Sequence, residues 1–163
     1  MDNKYECLRL KNQICFPLYL CSKEIIRRYT PYLNKVNLTY TQYIVMMYFW
    51  EKKTSNVKEL GNVLWLDSST LTPLLKKLED KGYIKRDRSL VDERNLIVTI
   101  TAEGEKLKDS VLEVPAKVGS CLNLSEKEVI DLYNLMGKIL MNVKENENEN
   151  SWNYRKRFWK RSS

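Results

Sequence analysis

The stretch LGNVLWLDSSTLTPLLKKLEDKGYIKRDRSLVDERNLIVTIT, residues 60–101, decides the fold, because three local patterns follow one another in it without a gap. Val57, just ahead of it, and Leu60 and Val63 recur every third residue, marking one face of a short helix from Asn56 to Leu64. Past Trp65-Leu66, Asp67 stands where a helix N-cap belongs, and Leu66 and Leu71 are spaced as a hydrophobic staple. The second helix, SSTLTPLLKKLEDK, turns Leu71, Leu74, Leu75 and Leu78 inward and closes at Gly82, a glycine just beyond the helix end. YIKRDR and NLIVTIT then alternate as strands around the polar turn SLVDER. Two short helices joined by a tight break and followed by a β-hairpin spell a winged helix-turn-helix.

Outward from this unit the chain is helical. Residues 6–30 read as one long amphipathic helix through Leu10, Ile14, Leu18, Cys21, Ile25 and Tyr29. A bend is expected at Pro17, which frees the carbonyl of Gln13, and Thr30-Pro31 ends the helix or starts a short continuation. Thr41 is expected to open a helix over 42–52, with Tyr43, Met46, Met47 and Trp50 on its apolar face. Beyond the hairpin one helix follows Thr101 and another follows Ser125. The second carries a Ser125/Glu128 capping box and a stripe of Val129, Leu132, Met136, Ile139 and Val143. The expected fold is mainly α (α+β): a winged helix-turn-helix with a two-stranded β-wing, and N- and C-terminal helices forming a dimerisation domain. Residues 1–145 make a single domain, with dimerisation helices at about 6–30 and 102–145 and the winged helix-turn-helix at about 41–101. The run ENENEN ends the ordered pattern, and 146–163 is expected to be a disordered basic and aromatic tail.

Composition narrows the function. The chain has 163 residues, no histidine and four cysteines, Cys7, Cys15, Cys21 and Cys121, with no CxxC pair. This leaves no Cys/His zinc site and no Cys–His nucleophile pair, so no metal and no cofactor is expected. The polar start MDNKYECLRLKN does not read as a secretory signal, and the longest apolar runs, such as IVMMYFW, are far short of a membrane span. A cytoplasmic protein without a membrane partner is expected, and its thiols are buried or redox-active rather than paired. The net charge is +7, but Arg155, Lys156, Arg157, Lys160 and Arg161 in the tail supply five of the seven, leaving about +2 on the other 150 residues. That tail suits a DNA backbone or an anionic membrane by composition, but DNA binding by the body has to be argued from local arrangement.

The arrangement is there. The second helix of a helix-turn-helix presents its first turns to the major groove, and here those turns carry Ser68, Ser69, Thr70, Thr72 and Pro73. Hydroxyls contact bases or phosphates, a proline touches a thymine methyl, and helix N-terminal amides favour phosphate. Lys76 and Lys77, one turn on, suit the flanking backbone, and Arg94 at the hairpin tip, shaped by Asp92, suits a narrow minor groove. Taken singly, hydroxyls at a helix start are usually caps and a Lys-Lys pair is usually a solvated face. Their order within one unit of some forty residues is what points to DNA.

Residues 60–101, together with LKNQICFPLYLCSKEIIRRYTPYLNKVNLTYTQYIVMMYFWE at 10–51, resemble the MarR family of winged-helix repressors, and in particular its organic-hydroperoxide-sensing branch. The resemblance spans roughly 8–140, and the pairing of NQICF with LDSSTLTPLLKKLE carries most of its specificity; the tail lies outside it. It implies a homodimer that represses peroxide-detoxification genes at a pseudo-palindromic double-stranded operator until a cysteine is oxidised. It puts the sensing cysteine at Cys15, the tyrosines that hydrogen-bond its thiolate at Tyr29 and Tyr40, and the wing's Asp-x-Arg at Asp92 and Arg94. Some members resolve the oxidised cysteine with a cysteine of the other subunit near the junction of the last two helices, where Cys121 stands; others use an external thiol or overoxidise. For Cys7 and Cys21 the expected role is packing or none.

Cys15 and Tyr29 are 14 residues apart, about 21 Å along a continuous helix, so a contact between them has to come from a partner subunit. Two phenol donors hold a thiolate without a histidine or a metal. Attack on an organic hydroperoxide then gives a sulfenic acid, and the apolar neighbours Phe16, Tyr19, Tyr43 and Met46 favour an organic oxidant over hydrogen peroxide. Two alternatives stand beside this reading. One is a MarR-like repressor released by a small aromatic ligand without cysteine chemistry. The other is a thiol peroxidase built on Cys15, which leaves the winged helix unexplained; the chain is therefore not expected to be an enzyme.

Overall fold

The computed structural model describes residues 4–88 and 96–143. They run as two 3-10 turns (Glu6–Leu8 and Leu10–Asn12), α1 (Cys15–Leu33), a 3-10 turn (Asn34–Val36), α2 (Tyr40–Lys52), β1 (Thr54–Asn56), α3 (Val57–Leu64), α4 (Ser68–Asp80), β2 (Ile84–Arg88), β3 (Leu96–Ile100), α5 (Ala102–Val111), α6 (Val114–Ser120) and α7 (Glu126–Val143). The α3–α4 pair and the β2–β3 hairpin stand where the 60–101 pattern puts them. Antiparallel pairing runs from Ile84 opposite Ile100 to Arg88 opposite Leu96. A third strand joins the hairpin: β1 pairs antiparallel with β3, Thr54 opposite Thr99 and Asn56 opposite Ile97, giving the order β1-β3-β2. Three residues are too few to show alternation, so β1 exists because β3 offers it an edge.

Caps explain where the helices begin and end. Asp67 accepts from the Thr70 amide at 2.7 Å, Asn56 from the Glu59 amide at 2.8 Å and Thr101 from the Gly104 amide at 3.0 Å. α4 closes in a Schellman motif: Gly82, at φ +76°, donates to the carbonyl of Glu79 and Tyr83 to that of Leu78. The Ser125/Glu128 box forms as expected, with the Ser125 amide and hydroxyl both donating to Glu128.

Several boundaries differ from the pattern. The helix expected over 6–30 begins only at Cys15. Pro17 sits in its first turn, where a missing N–H costs nothing, so it marks a start and not a bend. Residues before it fold back as tight turns, held by Asn12 donating to the Glu6 carbonyl at 2.8 Å and by Gln13 donating to the Cys7 carbonyl. Pro31 lies inside α1, which runs on to Leu33 before tightening into the 3-10 turn. α2 opens at Tyr40 and not at 42, because Thr39, not Thr41, makes a reciprocal capping box with Gln42. The stretch after Thr101 breaks at 112–113 into α5 and α6, where Pro115 restarts the helix near its first position.

The core lies inside the winged helix and its supports. Val45, Met46 and Phe49 of α2 pack with Leu60 of α3, Leu71, Leu75 and Leu78 of α4, Ile84 and Val98 of the hairpin, and Leu107, Val111, Val114 and Val118 of α5 and α6. Gly104 is required here: a Cβ on it would come within 2.2 Å of the Tyr83 carbonyl oxygen. That close approach seats α5 against the end of α4, with Thr101 Oγ1 donating to the Gly82 carbonyl at 2.6 Å. α1 and α7 are different. Of nineteen residues α1 buries only Leu33, and α7 buries none of its eighteen. Cys21, expected on a packed face, is exposed in the single chain for the same reason.

Candidate functional site

Helix α4 divides cleanly. Leu71, Leu75 and Leu78 face the core, while Ser68, Ser69, Thr70, Thr72, Pro73, Lys76 and Lys77 are all exposed. The face offered to solvent is thus the hydroxyl- and lysine-bearing one. Some of its hydrogen-bonding capacity is taken locally: Ser69 donates to Asp67 at 2.6 Å and Thr72 to the Ser68 carbonyl at 2.7 Å. Asp67 is held below the usual carboxylate range by Ser69 and by the Thr70 amide. Because Asp67 occupies that first-turn amide, side chains carry the contacts this face can make, more than the helix N-terminus does. Arg86 of β2 fastens the wing to the far end of α4: its Nε and Nη2 donate to Glu79 Oε2 at 2.8 and 2.5 Å, and its amide to Oε1 at 2.9 Å. Asp92 and Arg94, the expected wing-tip pair, lie outside the described residues, as does the tail.

The second constellation is aromatic. Tyr29 of α1 meets Tyr40 at the start of α2, ring centroids 5.0 Å apart, and both lie against Tyr43, at 5.8 and 6.4 Å. Tyr43 packs edge-on to Trp50 at 6.0 Å, and Trp50 Nε1 donates to the Gly104 carbonyl at 2.8 Å. Burial raises all three phenols above their ordinary value near 10. Tyr40 is raised further by Tyr29, and Tyr43, beside both, reaches about 12. All three therefore stay protonated donors at neutral pH. They line one wall of an apolar cavity of about 540 Å³, closed by Met47, Trp65 and Leu140 among others. Trp65 sits in the turn between α3 and α4 at φ +59°, a left-handed conformation that side chains rarely adopt.

Cys15 is the first residue of α1 and is exposed. Tyr29 lies on the same helix, about 21 Å away at 1.5 Å per residue, so one chain brings Tyr29 and Tyr40 together and leaves Cys15 apart from them. Cys121 caps the C-terminal end of α6, exposed, its thiol donating to the Lys117 carbonyl at 3.3 Å. Cys7 is exposed in the turns before α1. The sequence pattern gives Tyr43 only as an apolar neighbour. Its partnership with Tyr40 follows from a spacing of three on one helix face, which was hidden by starting that helix at 42. Among the described residues no group of three His, Cys, Asp or Glu could hold a metal ion, and no helix is long and apolar enough to cross a membrane.

Known proteins share this chain's pattern. The family model for the SarA/Rot transcriptional regulators matches residues 27–111. The organic hydroperoxide resistance transcriptional regulator of Bacillus subtilis is 43% identical over 135 residues, 83% of this chain and 90% of that protein. The regulator SarZ of Staphylococcus aureus is 46% identical over 134 residues, 82% of this chain and 88% of its own. Among solved structures, reduced AbfR bound to DNA superposes with a TM-score of 0.72 at 35% identity, covering 87% of this chain and 99% of that one. AbfR, from Staphylococcus epidermidis, has also been solved overoxidized on DNA and in a disulfide-formed state.

Proposed function

This chain belongs to the MarR family of winged-helix transcriptional regulators, and from that membership we propose that it is a homodimeric, cytoplasmic repressor that releases operator DNA when an organic hydroperoxide oxidises Cys15. One observation carries the reading: Tyr29 and Tyr40 form a half-buried phenol pair with no thiol between them, while Cys15 stands at the far end of the helix that carries Tyr29. An antiparallel crossing of two α1 helices brings each Cys15 to the other subunit's tyrosines. The uncovered faces of α1 and α7 supply the surface for that crossing, with Leu18, Tyr19 and Leu20 on one and Leu132, Leu135, Met136 and Ile139 on the other.

In this scheme the partner's phenols and the first turn of α1 stabilise the Cys15 thiolate. The thiolate attacks the outer oxygen of ROOH, the O–O bond breaks, the alkoxide takes a proton and leaves as ROH, and sulfur, oxidised by two electrons, becomes a sulfenic acid. The partner's Cys121 thiol can then displace that oxygen as water, forming an intersubunit disulfide. The overoxidized AbfR complex with DNA favours the disulfide as the releasing event, since in that relative overoxidation alone leaves a DNA complex. Ser68, Ser69, Thr70, Thr72, Pro73, Lys76 and Lys77 read and grip the major groove, and the wing tip with Asp92 and Arg94 reaches the minor groove. Cys15 reacts once per signal, so the chain acts as a sensor and not as an enzyme.

The test is a gel shift on the DNA upstream of its own gene. Wild type binds when reduced and is released by cumene hydroperoxide; Cys15→Ser binds and stays bound. Release of Cys15→Ser by peroxide would refute the cysteine sensor. The 540 Å³ apolar cavity favours one second reading, release by a small aromatic ligand. In that case the Cys15→Ser protein would still be released by the ligand.

A further inference from the structure

A second cavity, of about 630 Å³, opens on the other flank of α4, between that helix and the junction of α1 with α2. Its wall is formed by Asn37, Thr39, Thr41, Thr70, Lys77 and Lys81, with Gln42 and Leu74 at its base. Two cations line it and no carboxylate does. Neither Lys77 nor Lys81 is in an ion pair with a described residue, whereas nearby Arg86 is matched by Glu79. Lys81 is held in place by neutral partners: its Nζ donates to the Asn37 carbonyl and, at 3.0 Å, to Gln42 Oε1. Gln42 is itself 3% exposed and fixed by the Thr39 capping box. Lys81 thus keeps one N–H for a ligand, at a position set by the fold and not by a floppy side chain. Burial, and then the charge of Lys77 one turn earlier, lower its pKa. The first is lost hydration and the second is like-charge repulsion, and a bound anion would relieve both.

We propose that this cavity is a seat for one phosphodiester of the DNA backbone, gripped by Lys81, Lys77 and the Thr41 hydroxyl on the side of the recognition helix away from α3. The inference rests on the DNA-binding reading above and adds Lys81 and the start of α2 to it. Its position argues for a backbone phosphate over a free anion. Thr70, Pro73 and Lys77 belong both to the cavity wall and to the exposed face of α4, so a helix lying in the major groove carries the cavity to the groove's edge. There the flanking strand runs. The seat ties that strand to α2, the helix that also carries Tyr40 and Tyr43, so it joins operator grip to the aromatic cluster through one rigid element.

The experiment measures the affinity of full-length dimer for its own upstream duplex and for an unrelated duplex across a salt series, with wild type, Lys81→Met, Lys77→Gln and Lys81→Arg. A phosphate contact contributes about 0.9 to the slope of log affinity against log salt. Lys81→Met and Lys77→Gln should each lower the slope by roughly 2, one contact from each subunit, and weaken both duplexes by the same factor. Lys81→Arg should restore most of it. An unchanged slope, or a loss confined to one sequence, overturns the seat. If Lys81→Met proves poorly folded by thermal melting, Lys81→Gln, which keeps a neutral N–H donor in place of the cation, decides by the same criterion. Titration of the protein alone with inorganic phosphate, followed by amide shifts of 37–42 and 77–82, separates the sources. Saturation at low millimolar phosphate with DNA slopes like wild type assigns the cavity to a free anion and overturns the proposal. Failure of wild type to bind either duplex would instead sink the DNA-binding reading itself.

Discussion

Tyr43 is 3% exposed and boxed by three aromatic rings, and the consequence is measurable at alkaline pH. Its folded pKa, about 12, stands above the ordinary 10.0. Such a group contributes stability that is complete below pH 10 and is lost as pH rises through 12, because the unfolded chain ionises first. The melting temperature should therefore fall between pH 10 and 12, and Tyr43→Phe should fall less steeply over that range; parallel curves would show that Tyr43 is not so held. At the other end of the scale, Glu79 is depressed by its bonds to Arg86. Its contribution is present above the ordinary carboxylate pKa and lost as pH falls through the lowered one. Glu79→Gln should cost about 1–2 kcal/mol at neutral pH, with the difference from wild type closing in acid. These residue-scale facts were only half legible beforehand. The identity of Tyr29 and Tyr40 came from resemblance, but that Tyr43 joins them depends on where α2 starts.

Among the elements, α4 behaves as its pattern says and α1 does not. The leucines of α4 follow a strict helical period, and each of Leu71, Leu75 and Leu78 is essentially inaccessible. Leu75→Ala should cost about 2–5 kcal/mol in urea unfolding, and a smaller loss would mean the core can collapse around the gap. The start of α2 is a second handle. Thr39→Ala removes one half of a capping box and should cost about 1 kcal/mol, visible as a shift of the urea midpoint with unchanged slope. α1 misled the pattern because apolar spacing continued upstream through Leu10 and Ile14, while Pro17, with no N–H to donate, costs a helix least in its first turn. Periodicity records which residues share a face; it does not say where the hydrogen-bond ladder begins. β1 was missed for a related reason: a three-residue strand is stabilised by its neighbour β3, and its own residues carry no signal.

For the whole molecule, the telling feature is the imbalance between a well-filled winged helix and two terminal helices with almost nothing buried. Leu135 is 59% exposed on α7 and Val143 71%, an extent of apolar surface that monomers rarely leave open. A dimer follows from it, and sedimentation should give twice the chain mass at micromolar concentration. Leu135→Glu combined with Ile139→Glu should yield monomer and abolish operator binding, while leaving the helix-turn-helix folded by circular dichroism. Persistence of the dimer would place the interface elsewhere. If Cys121 resolves oxidised Cys15, peroxide-treated wild type should run as a linked dimer on non-reducing gels and Cys121→Ser as monomer.

The amino-acid order alone determined the winged helix-turn-helix, because caps, leucine spacing and strand alternation in 60–101 are short-range and each is satisfied locally. It also determined which face of α4 is left to solvent, since burying Leu71, Leu75 and Leu78 leaves the hydroxyls and lysines outside. Only the tertiary structure decided the rest. That Tyr29 of α1 meets Tyr40 and Tyr43 of α2, and that Lys81 is pinned to Asn37 and Gln42 beside an acid-free cavity, depend on how α1 docks on α2 and how the end of α4 meets the α1–α2 junction. Those contacts join residues 11 to 44 positions apart, and at that distance the chain's own order holds no local pattern from which to read them.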